Sequence, residues 1–369
     1  MNIPEQKLQQ ILDRLTGCAA NFALYRLPWA DSPILVFQES DETIILNGLD
    51  ELNGRCGFVM APFQETKAHP IVLIRPDRVA NGWGNIEKAL SSIPHYATIS
   101  YGQETPETAI TERSKADYMK AFEQFIVPLK ERRFQKLVLS HRSRYSLPDD
   151  FSPVTAFIRA CNSYPRMMIS LCHTPITGTW IGSTPEIILS GREQQWHTVA
   201  LAGTMPTRNE IDLSEWDAKN QEEQAIVCRY IREIIRTFDP DLTENGPYTA
   251  RAGHMIHLKT DFYFRLPDTK KLGSLLKKLH PTPAVCGLPK EETFGFISRH
   301  EGYDRSYYSG IIGWLNPDDE TNLYVNLRCM NTKKEQTFLY AGGGILASST
   351  PETEWEEITQ KMNIMRNIL

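Results

Sequence analysis

The sequence has no excess of positive charge. Its 40 lysines and arginines stand against 45 aspartates and glutamates, for a net charge of −5. Nucleic-acid binding needs a basic excess or a basic stripe, so no nucleic-acid partner is expected. Long apolar runs are missing as well. No stretch approaches the ~18 residues of a membrane span, and no membrane partner is expected. The start, MNIPEQKLQQILDRL, lacks the basic-then-apolar order of a secretory signal. Cysteine is sparse, odd in number at seven, and never spaced C-x-x-C. That excludes a clustered zinc site and fits the reduced thiols of a cytoplasmic protein. Internal repeats and low-complexity tracts are absent. The glycines 342–344 are not followed by Gly-Lys-Ser/Thr, so they are not a Walker phosphate loop.

What is present fits a globular protein. Of 369 residues, 41% are apolar and 23% charged, enough for a large core without staples. Residues 1–16 form an amphipathic pattern with Leu8, Ile11, Leu12 and Leu15 on one face. Strand-like runs follow at 22–27, 34–37, 43–46, 57–61 and 71–74, separated by Pro, Gly, Asn and Asp. Residues 92–116 are polar and read as a linker, and 115–132 read as a helix. Further on, strands are expected at 136–147, 167–172, 179–181, 186–190, 197–201, 308–314, 323–329 and 337–341. Helices are expected at 152–162, 215–238, 270–279 and 352–367. Short connections favour antiparallel pairing. The expected class is α+β, two large antiparallel β-sheets packed with flanking helices.

Two of these helices carry carboxylates on their inward faces. In 215–238, Val227, Ile231, Ile234 and Phe238 make the apolar stripe, and Glu223 and Lys219 extend it at four-residue steps. Glu223 reads either as a helix-start acid paired with Lys219 or as a metal ligand. In the last helix, Thr350 can cap and Pro351 fits the first position. Glu354, Glu357 and Lys361 then share one face beside Ile358, Met362 and Met365. Glu357 and Lys361 also suit a routine i,i+4 pair. Two helices aiming carboxylates inward suit a shared oxygen-ligand site. Mg²⁺ prefers one or two carboxylates with waters and an anionic ligand. The glycine run before this helix reads either as a turn or as a close backbone approach to an anion.

Two further residues have the right setting for proton transfer. Alternation puts Lys136, Val138, Ser140 and Arg142 on one strand face. Lys136 is either an edge residue or a base whose pKa is depressed by burial and a nearby cation. Glu186 follows Pro185 at a strand start. It is either a solvated turn acid or a carboxyl held protonated in an apolar site.

Taken together, the segments resemble the chorismate-utilising enzymes, the family of isochorismate, salicylate, anthranilate and aminodeoxychorismate synthases. The resemblance runs from about 115 to 369 through KLVLSH, GSTPEIIL, LAGT, KNQEE, HLKT, LHPTPAVCGLP, YYSGIIGW, NLR, AGGGI and PETEWEEITQK, in that order. It implies an anthranilate synthase component I-like fold, with residues 1–114 as a strand-rich part of one compact unit and 115–369 as its catalytic core. It also implies roles. Glu223 and Glu357 fall on Mg²⁺ ligands, and Glu354 on an acid reaching the metal through water. Lys136 falls on the general base and Glu186 on the general acid. Tyr308, Arg328, Gly342 and Lys361 fall on groups holding the substrate carboxylates, while Gly203, Thr204 and His280 fall on the ring pocket.

The resemblance points to isochorismate synthase. Its ammonia-using members lack the lysine found here at 136, and the branch forming a covalent adduct has lysine where Ala202 stands. The implied reaction moves a hydroxyl from C4 to C2 of chorismate, for menaquinone or siderophore biosynthesis. Salicylate synthase, which goes on to eliminate pyruvate, shares the same residues. A non-catalytic chorismate-binding subunit would need none of Lys136, Glu186, Glu223 or Glu357. A monomer without a glutamine amidotransferase subunit is expected. The chain departs from the family's usual residues at His141, Asn220 and Gln224. An acid is common at the position of Asn220, which puts one outer metal contact in doubt.

Overall fold

A computed structural model describes residues 4–93, 95–98, 114–207, 215–252, 255–333 and 335–369. The polar stretch read as a linker lies largely outside them. Two nine-stranded antiparallel sheets dominate the fold. The first runs edge to edge as Gly287–Leu288, Lys136–Ser146, Gln336–Ile345, Cys329–Lys333, Gly178–Thr184, Met168–Thr174, Asn21–Arg26, Ile34–Gln38 and Arg78–Asn81. The second runs as Thr243–Ala252, Met255–Arg265, Gln195–Pro206, Ile187–Arg192, Glu320–Val325, Ile311–Leu315, Gly57–Ala61, Ile71–Ile74 and Ile44–Leu46.

Strand alternation sorts the side chains into layers. In Asn21–Arg26, Ala23 and Tyr25 join an inner layer with Phe58, Met60 and Ile312 of the second sheet. Phe22 and Leu24 point the other way, onto Leu12 of helix Gln6–Leu15 and Phe157 of helix Pro153–Ser163. On the far side, Val227, Ile231 and Ile235 of helix Ala218–Arg236 cover Ala200, Phe262 and Phe264 of the second sheet. The result is helix, sheet, sheet, helix. Residues before 114 complete both sheets: Asn21–Arg26 pairs with Met168–Thr174, and Gly57–Ala61 pairs with Ile311–Leu315. No described helix is long and apolar enough to cross a membrane.

The expected strand at 323–329 is corrected by the structure. It breaks into Glu320–Val325 in the second sheet and Cys329–Lys333 in the first. Residues 326–328 cross between the sheets. Arg328 takes φ +47° there, and its carbonyl accepts from Ser183 N at 3.0 Å. The Asn326 side chain donates to Tyr307 O at 2.9 Å, fixing the other end. Hydrophobic continuity across a sheet switch looks like one strand in the sequence. The hairpin of Thr243–Ala252 and Met255–Arg265, and helix Lys290–His300, were also not anticipated.

Candidate active site

A narrow cleft of about 60 Å³ opens between the sheets. Of the residues expected at a site, Glu186, Gly203, Thr204, Glu223, Tyr308, Arg328, Gly342 and Lys361 line it. Lys136 lies fully buried behind Glu223, with Nζ 2.9 Å from Glu223 Oε1. Geometry leaves that Nζ without an aligned hydrogen-bond acceptor, so the contact is an ion pair. His280 does not line the cleft. Its ring is buried, with Nε2 3.2 Å from Pro62 O, a partner that a buried N–H requires. Ala284 and Val285 form the wall nearby in sequence.

Carboxylates approach the strand Gln336–Ile345 at its glycines. An added Cβ at Gly344 would lie 2.1 Å from Glu223 Oε1, so only glycine admits Glu223 on the cleft side. A Cβ at Gly343, on the opposite face, would meet Glu354 Oε2 at 3.2 Å and Glu357 Oε1 at 3.5 Å. Each acid has a lysine. Lys219 Nζ donates to Glu354 Oε1 at 2.5 Å, and Lys361 Nζ to Glu357 Oε1 at 2.6 Å. Lys361 Nζ also donates to Gly342 O at 3.0 Å, which ties the last helix to the cleft. Burial opposes the charge on Glu223, but Lys136 and Lys219 overcome it and hold this carboxyl below its ordinary range. Burial also opposes the charge on Lys219, yet Glu354, Glu357 and Glu223 raise its pKa. Burial and then Glu357 push Glu354 up to about 7.

Glu186 is also buried, and burial raises it to about 7 against the pull of Lys136 and Arg328. A carboxyl there is partly protonated at neutral pH, as an acid catalyst needs.

The floor of the cleft is a bulge in Gln195–Pro206. The register with Met255–Arg265 shifts between Ala202 and Thr204, and Gly203 takes φ +73°. Helix Ala218–Arg236 satisfies the displaced backbone. Gln224 Oε1 accepts from Ala202 N and Asn220 Oδ1 from Thr204 N, both at 2.9 Å. Asn220, which stands where an acid is common, is therefore engaged by the bulge.

His257 was quoted only within a motif, without a role, yet it lines the cleft. Its Nε2 lies 2.5 Å from Arg328 Nη2, and its Nδ1 lies 3.1 Å from Gly203 O. Burial and Arg328 hold its pKa well below the ordinary value. A neutral ring donating to Gly203 O can accept from the guanidinium. Burial lowers Arg328 to about 10, with Glu186 opposing. The signal available beforehand was a histidine on a strand paired with the bulge, which periodicity cannot distinguish from a core residue.

The carboxylates fit a divalent metal in one specific sense. Glu354 Oε2 is buried without a hydrogen-bond partner, which calls for a ligand or water. Among the described residues, no three His, Cys, Asp or Glu side chains converge tightly enough to cage a metal alone.

Comparison with known proteins agrees with this geometry. The family model described as chorismate binding enzyme matches residues 72–369. The salicylate biosynthesis isochorismate synthase of Pseudomonas aeruginosa is 29% identical over 249 residues, 65% of this chain and 52% of that protein. Isochorismate synthase MenF of Escherichia coli is 33% identical over 197 residues, 52% of this chain and 45% of that protein. The chain thus spans about half the length of these curated relatives. The solved structure of MenF, the menaquinone-specific isochorismate synthase from Escherichia coli, superposes with a TM-score of 0.77 at 21% identity, covering 97% of this chain and 91% of that one. This likeness establishes the same two-sheet fold. With a family match over most of its length, and its acids and cations gathered in one inter-sheet cleft, the chain belongs to the chorismate binding enzymes.

Proposed function

We propose that this chain converts chorismate to isochorismate with Mg²⁺ and without an ammonia-delivering partner. One observation carries the reading. Glu186, Arg328 and Lys361 line one cleft, and Lys136 reaches its edge through Glu223, which lines it, at 2.9 Å. Arg328 suits a carboxylate, since a guanidinium binds it bidentately. Lys361, Tyr308 and the Gly342 backbone, which also line the cleft, would take the other carboxylate. Lys136, after releasing its ammonium proton, takes a proton from the water that attacks C2. The ring double bond shifts, and Glu186 gives its proton to the departing C4 hydroxyl. One water enters and one leaves, so the net change is isomerisation. Glu223 and Glu357 would hold Mg²⁺ directly and Glu354 through water, supplying positive charge for the ring carboxylate.

The relatives' names include both a menaquinone-specific and a salicylate-pathway enzyme, so either use of the product is compatible with the reading. The test is product identification from chorismate with and without Mg²⁺. Isochorismate that requires Mg²⁺ and fails to form with Lys136→Ala is the expected result. Salicylate and pyruvate without isochorismate build-up would overturn it.

A further inference from the structure

Glu301 and Arg305 form a fully buried ion pair away from the carboxylates described above, with Arg305 Nε 2.6 Å from Glu301 Oε2. They follow helix Lys290–His300 directly. Arg305 Nη2 donates to Glu301 Oε1 at 2.7 Å and to Val138 O at 2.8 Å. Arg305 Nη1 donates to Val285 O at 2.7 Å. Glu301 Oε1 also accepts from Ser140 N at 2.7 Å and Ser140 Oγ at 2.8 Å.

The location explains the need. Lys136–Ser146 is paired along one side by Gln336–Ile345. On its other side the sheet ends in Gly287–Leu288, which reaches only Lys136 and Leu137. Val138 N then finds Cys286 O at 2.7 Å. Beyond that point the strand's edge groups meet side chains. Val138 C=O meets Arg305 and Ser140 N–H meets Glu301, where a neighbouring strand would otherwise stand. A buried edge left without partners would be costly. The two carbonyls held by Arg305 belong to Val138 and Val285, which both line the cleft.

We propose that Glu301 and Arg305 are positioning residues that act as a substitute strand, setting the Lys136 strand against the Val285 wall. The proposal rests on reading Lys136 as the base. It assigns the pair no contact with substrate.

The experiment compares the wild type with the double variant Glu301→Leu/Arg305→Met, in which apolar groups of similar size replace the pair. Such swaps remove a buried ion pair without stranding a lone charge. The expected double variant still folds but melts below the wild type, because the Val138 and Val285 carbonyls and Ser140 N lose their partners. Its kcat for isochorismate formation falls at least about tenfold with a smaller change in KM, and amide exchange across 136–142 quickens. Arg305→Lys, whose single ammonium cannot span both carbonyls, is expected to fall between the two. It stands in for the double variant should that fail to fold. A double variant with kcat within twofold of wild type and unchanged exchange at 136–142 would overturn the proposal. If the wild type forms no isochorismate, the functional reading fails. The exchange measurement then decides the pair's role by itself: faster exchange confined to 136–142 supports it, and unchanged exchange overturns it.

Discussion

The Lys136 ammonium lies 2.9 Å from Glu223 Oε1 in a setting where Lys136 has no exposed surface. The proposed base is thus also the partner that keeps a buried carboxylate charged. Removing it should have two separable effects. Breaking a buried pair strands the other charge, at a cost of about 3–5 kcal/mol. Loss of a positioned base lowers rate by ~10²–10⁴-fold. Lys136→Ala is expected to show both in urea unfolding and in chorismate turnover. Turnover within tenfold of wild type would remove Lys136 from the mechanism. Lys136→Ala/Glu223→Gln should recover stability without recovering rate.

Glu357 gives the corresponding test of the metal. Its side chain accepts from Lys361 Nζ at 2.6 Å, and it borders a pocket that also reaches Thr204 and Lys219. A charge-assisted contact contributes about 1.5–3 kcal/mol, so Glu357→Gln should raise the Mg²⁺ concentration for half-maximal activity roughly 10- to 100-fold. Chelation of the wild type should abolish product formation, and added Mg²⁺ should restore it. An unchanged Mg²⁺ dependence in Glu357→Gln would show that the metal lies elsewhere.

Gly344 tests the cleft by space alone. A methyl group there would press to 2.1 Å from Glu223 Oε1 and 2.8 Å from Lys136 Cε. Overpacking of this kind costs roughly 1–3 kcal/mol. Gly344→Ala is expected to fold with that loss and to bind Mg²⁺ more weakly, as followed by calorimetry. Unchanged stability and metal binding would mean that Glu223 has another position available.

Much of this was legible beforehand, for physical reasons that differ by element. Gly57–Ala61 and Ile71–Ile74 lie where the apolar runs and their turn residues predicted. The helix with Glu223 was legible because its stripe keeps the 3.6-residue period. Thr243–Ala252 was not, since its outer residues are polar and a Gly-Pro pair interrupts the alternation. The site divides similarly. Acids on inward helix faces stand out as costly to bury. The bulge at Gly203, the sheet crossing at Arg328 and the contact of His257 with Arg328 are tertiary relations that no local period records. The ring pocket differs in the same way, for His280 was expected there and does not line the cleft.

Glu186 links pH to both stability and rate. Its pKa is raised from 4.5 to about 7, with burial as the first cause. The folded state therefore binds a proton that the unfolded chain has already released across that interval. Stability from this group is fully present below about 4.5, falls as pH rises, and is lost once pH passes about 7. The shift corresponds to a cost of about 3 kcal/mol above neutrality, at 1.36 kcal/mol per pH unit. Glu186→Gln, which cannot ionise, should unfold like the wild type at pH 4.5. It should be the more stable of the two at pH 8, read from urea midpoints at each pH. The proton that destabilises the fold by leaving is the one that catalysis needs. Wild-type kcat should therefore decline as pH rises through about 7, and Glu186→Gln should lose ~10²–10⁴-fold in rate at pH 6.5 while gaining stability at pH 8. Equal pH dependence of stability in the two proteins would place Glu186 in water and withdraw it as the acid.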